Sequence, residues 1–441
     1  MRGLSLSKSM RNIFRIDSES RLRLWLLALT IIVLALKLAI IPYPWPDAPP
    51  EECMQPPIEG AKCGFVFDEA HYIPAVRKML AGEAANNEHP PLSKALMLLG
   101  ILVFGDNPYG WRTFITLCGA ASVYLVGMLA YELTRSYKAS ILATILFGFD
   151  ITSFNIGSIA MLDAPALMFS LLGAILYLRE RLTVSGISFG LAMLAKTSAP
   201  LVLAGILIYD FLKRGYESAS FKEALRGWLK VIERMGFTAA LVMITGLGIY
   251  DYAYGAFSTP FEHLDYMLTY HSSLTFSEND EVYLPLSWTN PLFQFPRRGY
   301  YVVAVSVDHL KTYHPIAYYG LQTPLWWMAW VVFAFSLYLA VLKLRRGELP
   351  KLELFLLCWF SANYLIYFPM AYLLHRWVYP FYFYMTVPII AIGLPKIMEG
   401  DKISELVLYG VTAMQIGWFL GFFPVKAQWF IDLLLLLGVP A

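Results

Sequence analysis

Apolar residues recur along this chain in runs of about twenty, broken by short polar or basic connections. A run of that length crosses roughly 30 Å of hydrocarbon as a helix. Only segments that satisfy their own backbone hydrogen bonds can do so. The pattern predicts helices at 24–43, 111–132, 138–154, 162–178, 183–196, 198–212, 236–254, 323–342, 353–373, 377–395 and 403–423. The chain therefore reads as an all-α integral membrane protein with about eleven spans. Its first apolar run follows a basic leader, but Pro42-Tyr43-Pro44-Trp45 is no small-residue cleavage site, so the run is expected to stay as an anchor.

Lysine and arginine give the order of the loops. Arg2, Lys8, Arg11, Arg15, Arg21 and Arg23 precede the first span, and alternate connections carry Arg135 and Lys138, Arg179 and Arg181, then Lys213 to Arg234. Lys343 to Lys351, and finally Lys396 and Lys402, continue the series, while the intervening connections hold few cations. By the positive-inside rule the N-terminus is cytosolic and the C-terminus lies outside, which suits a multi-pass protein of the plasma membrane. Residues 1–23 form a basic cytosolic leader, 24–425 the membrane domain and 426–441 an apolar outer tail. Two outer loops are long, about 44–110 and 255–322. The first contains a predicted interfacial helix from Tyr72 to Leu80 and an apolar one from Leu92 to Phe104.

Composition agrees: 58% of the 441 residues are hydrophobic, 15% are charged and the mean hydropathy is +0.55. A net charge of +2 says little about partners, and no nucleic acid is expected among them. Of four cysteines, Cys53 and Cys63 fall in the first outer loop, where a disulfide is expected, since no metal-type partner sits at ligand spacing. Cys118 and Cys358 lie in spans and read as packing residues.

This topology gathers scattered residues at one face. Asp68, Glu69, His71, His89, Arg112, Asp163, Lys196, His375 and Arg376 all fall at or near the outer ends of helices. Ionisable groups near membrane depth are costly and mark sites or pathways. Singly, each reads as a snorkelling side chain or a structural ion pair. As a set they suit glycosyl transfer from a lipid phosphate, which needs a carboxylate base, cations for the departing phosphate and a water-poor pocket. One carboxylate suffices for a direct, inverting displacement, without the paired carboxyls of glycosidases.

The motifs sharpen that reading. Phe67-Asp68-Glu69-Ala70-His71-Tyr72, His89-Pro90-Pro91-Leu92-Ser93-Lys94 and Gly105-Asp106-Asn107-Pro108-Tyr109-Gly110-Trp111-Arg112 resemble the start of the protein O-mannosyltransferase family. Ile159-Ala160-Met161-Leu162-Asp163, Gly190 to Lys196, Pro285-Leu286-Ser287-Trp288 and His375-Arg376-Trp377-Val378-Tyr379-Pro380 follow in the family's order. The resemblance implies a GT-C type polytopic bundle that transfers mannose from a polyprenyl (dolichyl) phosphate to Ser/Thr hydroxyls of exported proteins. It implies a compact prokaryotic, archaeal-type member. Carried over, it makes Asp68 the catalytic base and Glu69 its orienting or acceptor-binding neighbour. Arg112, Lys196 and Arg376 would hold the phosphate, with His89, Asp163, Trp288 and His375 lining the substrate site. The family commonly has Ser-Arg ahead of the Ile-Ala-Met-Leu-Asp stretch, where this chain has Gly157-Ser158, so one cation is missing. Thr197-Ser198-Ala199 replaces a common aromatic, and the second loop lacks the large β-rich domain of eukaryotic members.

The same fold serves transferases acting on lipid or glycan acceptors. A transporter or flippase would instead show inverted repeats and half-helices broken at midplane; no internal pseudo-symmetry is visible, and the ionisable residues cluster at one face rather than the bilayer centre. No cofactor is expected. Asp68, Glu69, Asp163 and histidines could hold a divalent cation, but no spacing demands one. The aromatics of the second loop (Tyr266, Tyr270, Tyr283, Trp288, Tyr300, Tyr301) suit either sugar stacking or a headgroup belt. His263, His271, His309 and His314 read as loop contacts. A homodimer is compatible with the sequence.

Overall fold

The computed structural model describes residues 18–54, 62–277, 284–293, 304–307, 313–317, 321–424 and 428–436. Tyr283, Tyr300, Tyr301, His309 and the leader residues Arg2 to Arg15 lie outside them. Helix α1 (Glu19–Ile40) starts at Ser18, whose hydroxyl accepts the Arg21 backbone N–H, a standard N-cap. The first outer loop follows, with its Cys53–Cys63 disulfide, α2 (Glu69–Leu80) and α3 (Leu92–Phe104). Asn107 caps α4 (Pro108–Thr134), accepting the backbone N–H groups of Tyr109 and Gly110, with Pro108 at the first helical position.

The predicted helix over 138–154 is broken at Phe149-Asp150 into α5 (Tyr137–Gly148) and α6 (Ile151–Ile156). Asp150 accepts the Ser153 N–H and also binds Thr323 and Gln415, so its carboxylate holds the break. Then come α7 (Asp163–Leu178), α8 (Leu182–Ala195) and α9 (Pro200–Glu217). Helix α10 (Phe221–Val231) runs through a π-turn into α11 (Phe237–Tyr254), one continuous rod where a span over 236–254 alone was predicted. Helix α12 (Pro260–Ser273) and a two-stranded antiparallel hairpin (Ala304–Val307 with Tyr313–Ala317) lie in the second outer loop. The chain continues with α13 (Pro324–Trp327), α14 (Ala329–Arg345), α15 (Lys351–Phe360) and α16 (Tyr367–Tyr372). The predicted span over 377–395 begins as extended chain and a 3-10 turn (Pro380–Met385) before α17 (Val387–Ile397). Helices α18 (Lys402–Gly421) and α19 (Gln428–Leu436) complete the described chain.

Among the described residues six helical rods are long and apolar enough to cross a membrane: Glu19–Ile40, Pro108–Thr134, Phe221–Tyr254, Pro324–Arg345, Lys351–Tyr372 and Lys402–Gly421. Shorter apolar helices fill the space between them, giving a multi-pass membrane protein. Helix α4 is the central post, packed against α1, α3, α5 and α7. Two glycine contacts let it sit so close. A Cβ on Gly100 would fall 2.0 Å from the Gly110 carbonyl oxygen, and one on Gly119 would fall 2.4 Å from that of Gly157. Backbones meet there because no side chain intervenes. The second contact presses residues 157–160 onto α4, just ahead of Asp163.

Charge separates the two ends of the bundle. At one end Glu132 pairs with Arg135 and Arg179, Lys138 with Glu405, Lys343 with Glu353 and Lys351 with Glu217. Asp68, Arg112, Asp163, Lys196 and Arg376 lie at the opposite helix ends, as the alternation of loop charges predicts.

Candidate active site

Asp68 stands at the N-cap of α2, yet its carboxylate makes no capping hydrogen bond. Its backbone carbonyl closes the first turn, accepting the N–H groups of His71 and Tyr72. The carboxylate is therefore left for other work at the positive end of a helix. Phe67, just before it, is a non-glycine residue at φ 54°, and its ring meets Phe381 at 5.2 Å. Such a backbone costs about 1–3 kcal/mol and is concentrated at functional sites. Desolvation raises the Asp68 pKa to about 6, against the opposing pull of His71 and Lys196.

Glu69 points elsewhere, and the structure corrects its expected role. It is fully buried and forms a two-pronged ion pair with Arg112, Nε to Oε1 at 2.7 Å and Nη2 to Oε2 at 2.6 Å. Its oxygens also accept the backbone N–H groups of Ala160 and Val66, each at 2.7 Å. Arg112 donates further to the carbonyls of Ile41 and Tyr43 (both 2.7 Å) and Gly64 (2.9 Å). A guanidinium has five N–H donors, and all five are engaged. Arg112 thus has nothing to offer a phosphate. The pair is a buried pin that joins the ends of α1, α2 and α4 to the segment before α7.

Asp163 and Lys196 lie within electrostatic reach of Asp68. Asp163 opens α7 and Lys196 caps the C-terminus of α8, each at the helix end that favours its charge. Lys196 Nζ donates to Asp163 Oδ1 at 2.5 Å and lies 4.9 Å and 5.2 Å from the ring centres of Phe381 and Tyr382. Asp163 is its one hydrogen-bond partner among the described residues, so two ammonium N–H donors remain. Asp163 Oδ2 is buried and unpartnered among the described residues, and so is His89 Nδ1. Buried polar atoms are rarely left this way, and a substrate hydroxyl suits both. The His89 ring packs on Tyr72 and His271, and burial, then His271, holds its pKa well below the ordinary value.

Arg376 reaches the site from the far end of the chain. Nη1 donates to the carbonyls of Leu274 (3.3 Å) and Trp377 (2.9 Å), and Nη2 contacts His271 Nδ1 at 3.3 Å. Its Nε–H and one Nη2–H have no partner among the described residues. His375 turns away, exposed, with its ring on Phe276 at 5.3 Å. Trp288 is 0% exposed and packs on Tyr364 and Tyr367, so it belongs to the core and not to a sugar-stacking surface.

Two further residues stand out: His271, which the sequence reads only as a loop contact, and Lys37, which it does not single out. His271 sits between Arg376 and Thr197, next to Lys196. Lys37 of α1 is 1% exposed, with its Nζ 2.5 Å from the Phe154 carbonyl and 3.1 Å from Ser158 Oγ. No carboxylate pairs with it among the described residues. It brings an amine from another helix to the Gly157-Ser158 stretch. The signal was present, since Lys37 is the lone charge within the first apolar run. Among the described residues no three His, Cys, Asp or Glu side chains are placed to hold a metal ion.

The chain was compared with known proteins. Residues 65–214 match the family of dolichyl-phosphate-mannose-protein mannosyltransferases. The polyprenol-phosphate-mannose–protein mannosyltransferase of Mycolicibacterium smegmatis is 33% identical over 112 residues, covering 24% of this chain and 22% of that protein. The same-named protein of Corynebacterium glutamicum is 34% identical over 94 residues, 18% of either chain. The matched stretch spans about a fifth of these curated relatives. Among solved structures, ArnT from Cupriavidus metallidurans bound to undecaprenyl phosphate has a TM-score of 0.51 at 13% identity, covering 94% of this chain and 72% of that one. That likeness establishes the GT-C fold. The stretch that holds Asp68, Glu69, His89, Arg112, Asp163 and Lys196 is thus the part of the chain that matches the dolichyl-phosphate-mannose-protein mannosyltransferase family.

Proposed function

We propose that this protein transfers mannose, with inversion, from a polyprenyl phosphate to Ser/Thr hydroxyls of exported proteins at the outer face of the plasma membrane. The observation that carries the reading is an uncapped, desolvated Asp68 beside Lys196, with Arg376 nearby and donors unused on both cations. The acceptor oxygen attacks the anomeric carbon as Asp68 takes its proton. The bond from that carbon to the phosphate oxygen breaks, and polyprenyl phosphate leaves with its added charge on Lys196 and Arg376. Asp163 holds Lys196 and offers Oδ2 to a sugar hydroxyl. Glu69 and Arg112 act only by fixing the start of α2. One copy of the chain supplies all these groups.

Purified protein given polyprenyl-phosphate mannose and a Ser/Thr peptide should form a mannosyl peptide of the anomer opposite to the donor. No transfer, or the same anomer, would refute the proposal. Transfer to a lipid hydroxyl but to no peptide would keep the chemistry and replace the acceptor.

The base must be ionised to accept a proton, and its pKa is raised to about 6. Transfer should therefore decline as pH falls through about 6, with an acid limb well above the usual aspartate value near 4. A pH–rate profile still flat at pH 5 would remove Asp68 from the role.

A further inference from the structure

Helix α12 carries His263, Met267 and His271 at intervals of four, hence on one face. That face is nailed down. His263 and Met267 are 0% and 1% exposed, and His263 bridges Asp251 Oδ1 (2.7 Å) and the Asn87 carbonyl (2.9 Å). The next turn delivers His271 to the site. Its Nε2 lies 2.9 Å from the Glu88 carbonyl and 3.4 Å from Thr197 Oγ1, and its Nδ1 lies 3.3 Å from Arg376 Nη2.

The partners settle the tautomer. A carbonyl only accepts and a guanidinium only donates, so Nε2–H donates to Glu88 and the Nδ1 lone pair accepts from Arg376. The Leu274 and Trp377 carbonyls hold Nη1, whereas His271 alone among the described residues holds Nη2. Nε–H and one Nη2–H are left open, donors enough to meet two oxygens of one phosphate.

We propose that His271, as the Nε2–H tautomer, is the positioning residue that aims the Arg376 fork at the donor phosphate. The inference rests on the lipid-phosphate reading above. It differs from a packing role, in which His271 would serve only to hold α12 on residues 87–89 through Glu88.

Two substitutions separate these roles. His271→Asn places an amide oxygen where Nδ1 stood and gives up the bond to Glu88. His271→Gln keeps a donor near Nε2 and gives up the acceptor facing Arg376. The measurement is the affinity of the full-length protein for polyprenyl phosphate in detergent, alongside transfer kinetics. His271→Ala and His271→Gln should weaken phosphate binding and raise the donor KM by about tenfold to a hundredfold, the worth of one hydrogen bond to a charged group, with a smaller change in kcat. His271→Asn should restore most of that loss. The reverse order, Gln retaining affinity and Asn losing it, would overturn the proposal in favour of packing, and so would unchanged affinity in all three. A wild-type protein that binds polyprenyl phosphate but transfers no mannose would remove the functional reading alone, leaving His271 to be judged by the binding order. A wild-type protein that does not bind polyprenyl phosphate would overturn both.

Discussion

Replacing Asp68 with asparagine should lower transfer by about 10²–10⁴-fold, the usual contribution of a positioned base. The side chain keeps its size while losing its charge and its basicity. Helix α2 should still start in place, because the Asp68 backbone carbonyl, not its carboxylate, accepts the N–H groups of His71 and Tyr72. Donor binding should survive too, since the free cationic donors belong to Lys196 and Arg376. Single-turnover transfer and polyprenyl-phosphate affinity, measured on the same folded preparation, separate these effects. Near-normal transfer by that variant would end the case for Asp68 as the base. A matching fall in donor affinity would move it from chemistry to binding.

The second large effect concerns stability. Glu69→Gln leaves the Arg112 charge buried and uncompensated, and Arg112→Ala does the same to Glu69. Breaking one side of such a pair costs about 3–5 kcal/mol. Both variants should therefore unfold well below the wild-type temperature in detergent or fail to accumulate. Arg112→Lys should rescue little, as an ammonium cannot reproduce a two-pronged contact together with three carbonyl bonds. Polyprenyl-phosphate affinity per folded molecule should stay the same in whatever Arg112→Lys protein survives. A stable Arg112→Ala protein with weakened phosphate binding would reverse the assignment and return Arg112 to the donor site.

Much of this was legible before any coordinates. Spans are set by runs of apolar residues, which are local in sequence. Helix lies within each predicted span, and the boundaries fail where tertiary bonds intervene, as where Asp150 takes Ser153, Thr323 and Gln415 and breaks a helix in two. The site was harder. Asp68 and Glu69 are neighbours in sequence, but successive residues of a helix point about 100° apart. One carboxylate lies within electrostatic reach of Lys196 and Asp163, and the other is locked on Arg112. No pattern distinguishes those fates, since the partners of Glu69 lie at positions 66, 112 and 160. His271 was unreadable for a related reason. Its role depends on Glu88, Thr197 and Arg376, drawn from three separate parts of the chain. Trp288 misled because an aromatic in an outer loop suits sugar and core equally, and only burial separates the two.

Arg376 also bears on how the protein is made. Asp68, Glu69, Arg112, Asp163 and Lys196 all lie within the first half of the chain, and their mutual contacts need nothing beyond it. The carbonyl and imidazole that steady Arg376 come from residues 271 and 274, and the arginine itself arrives about a hundred positions later. Chains emerge from the ribosome N-terminal part first. On the proposed reading, the base is thus in place long before the Arg376 grip on the phosphate can close, and a nascent chain engages its lipid donor fully only once nearly all of it has entered the bilayer.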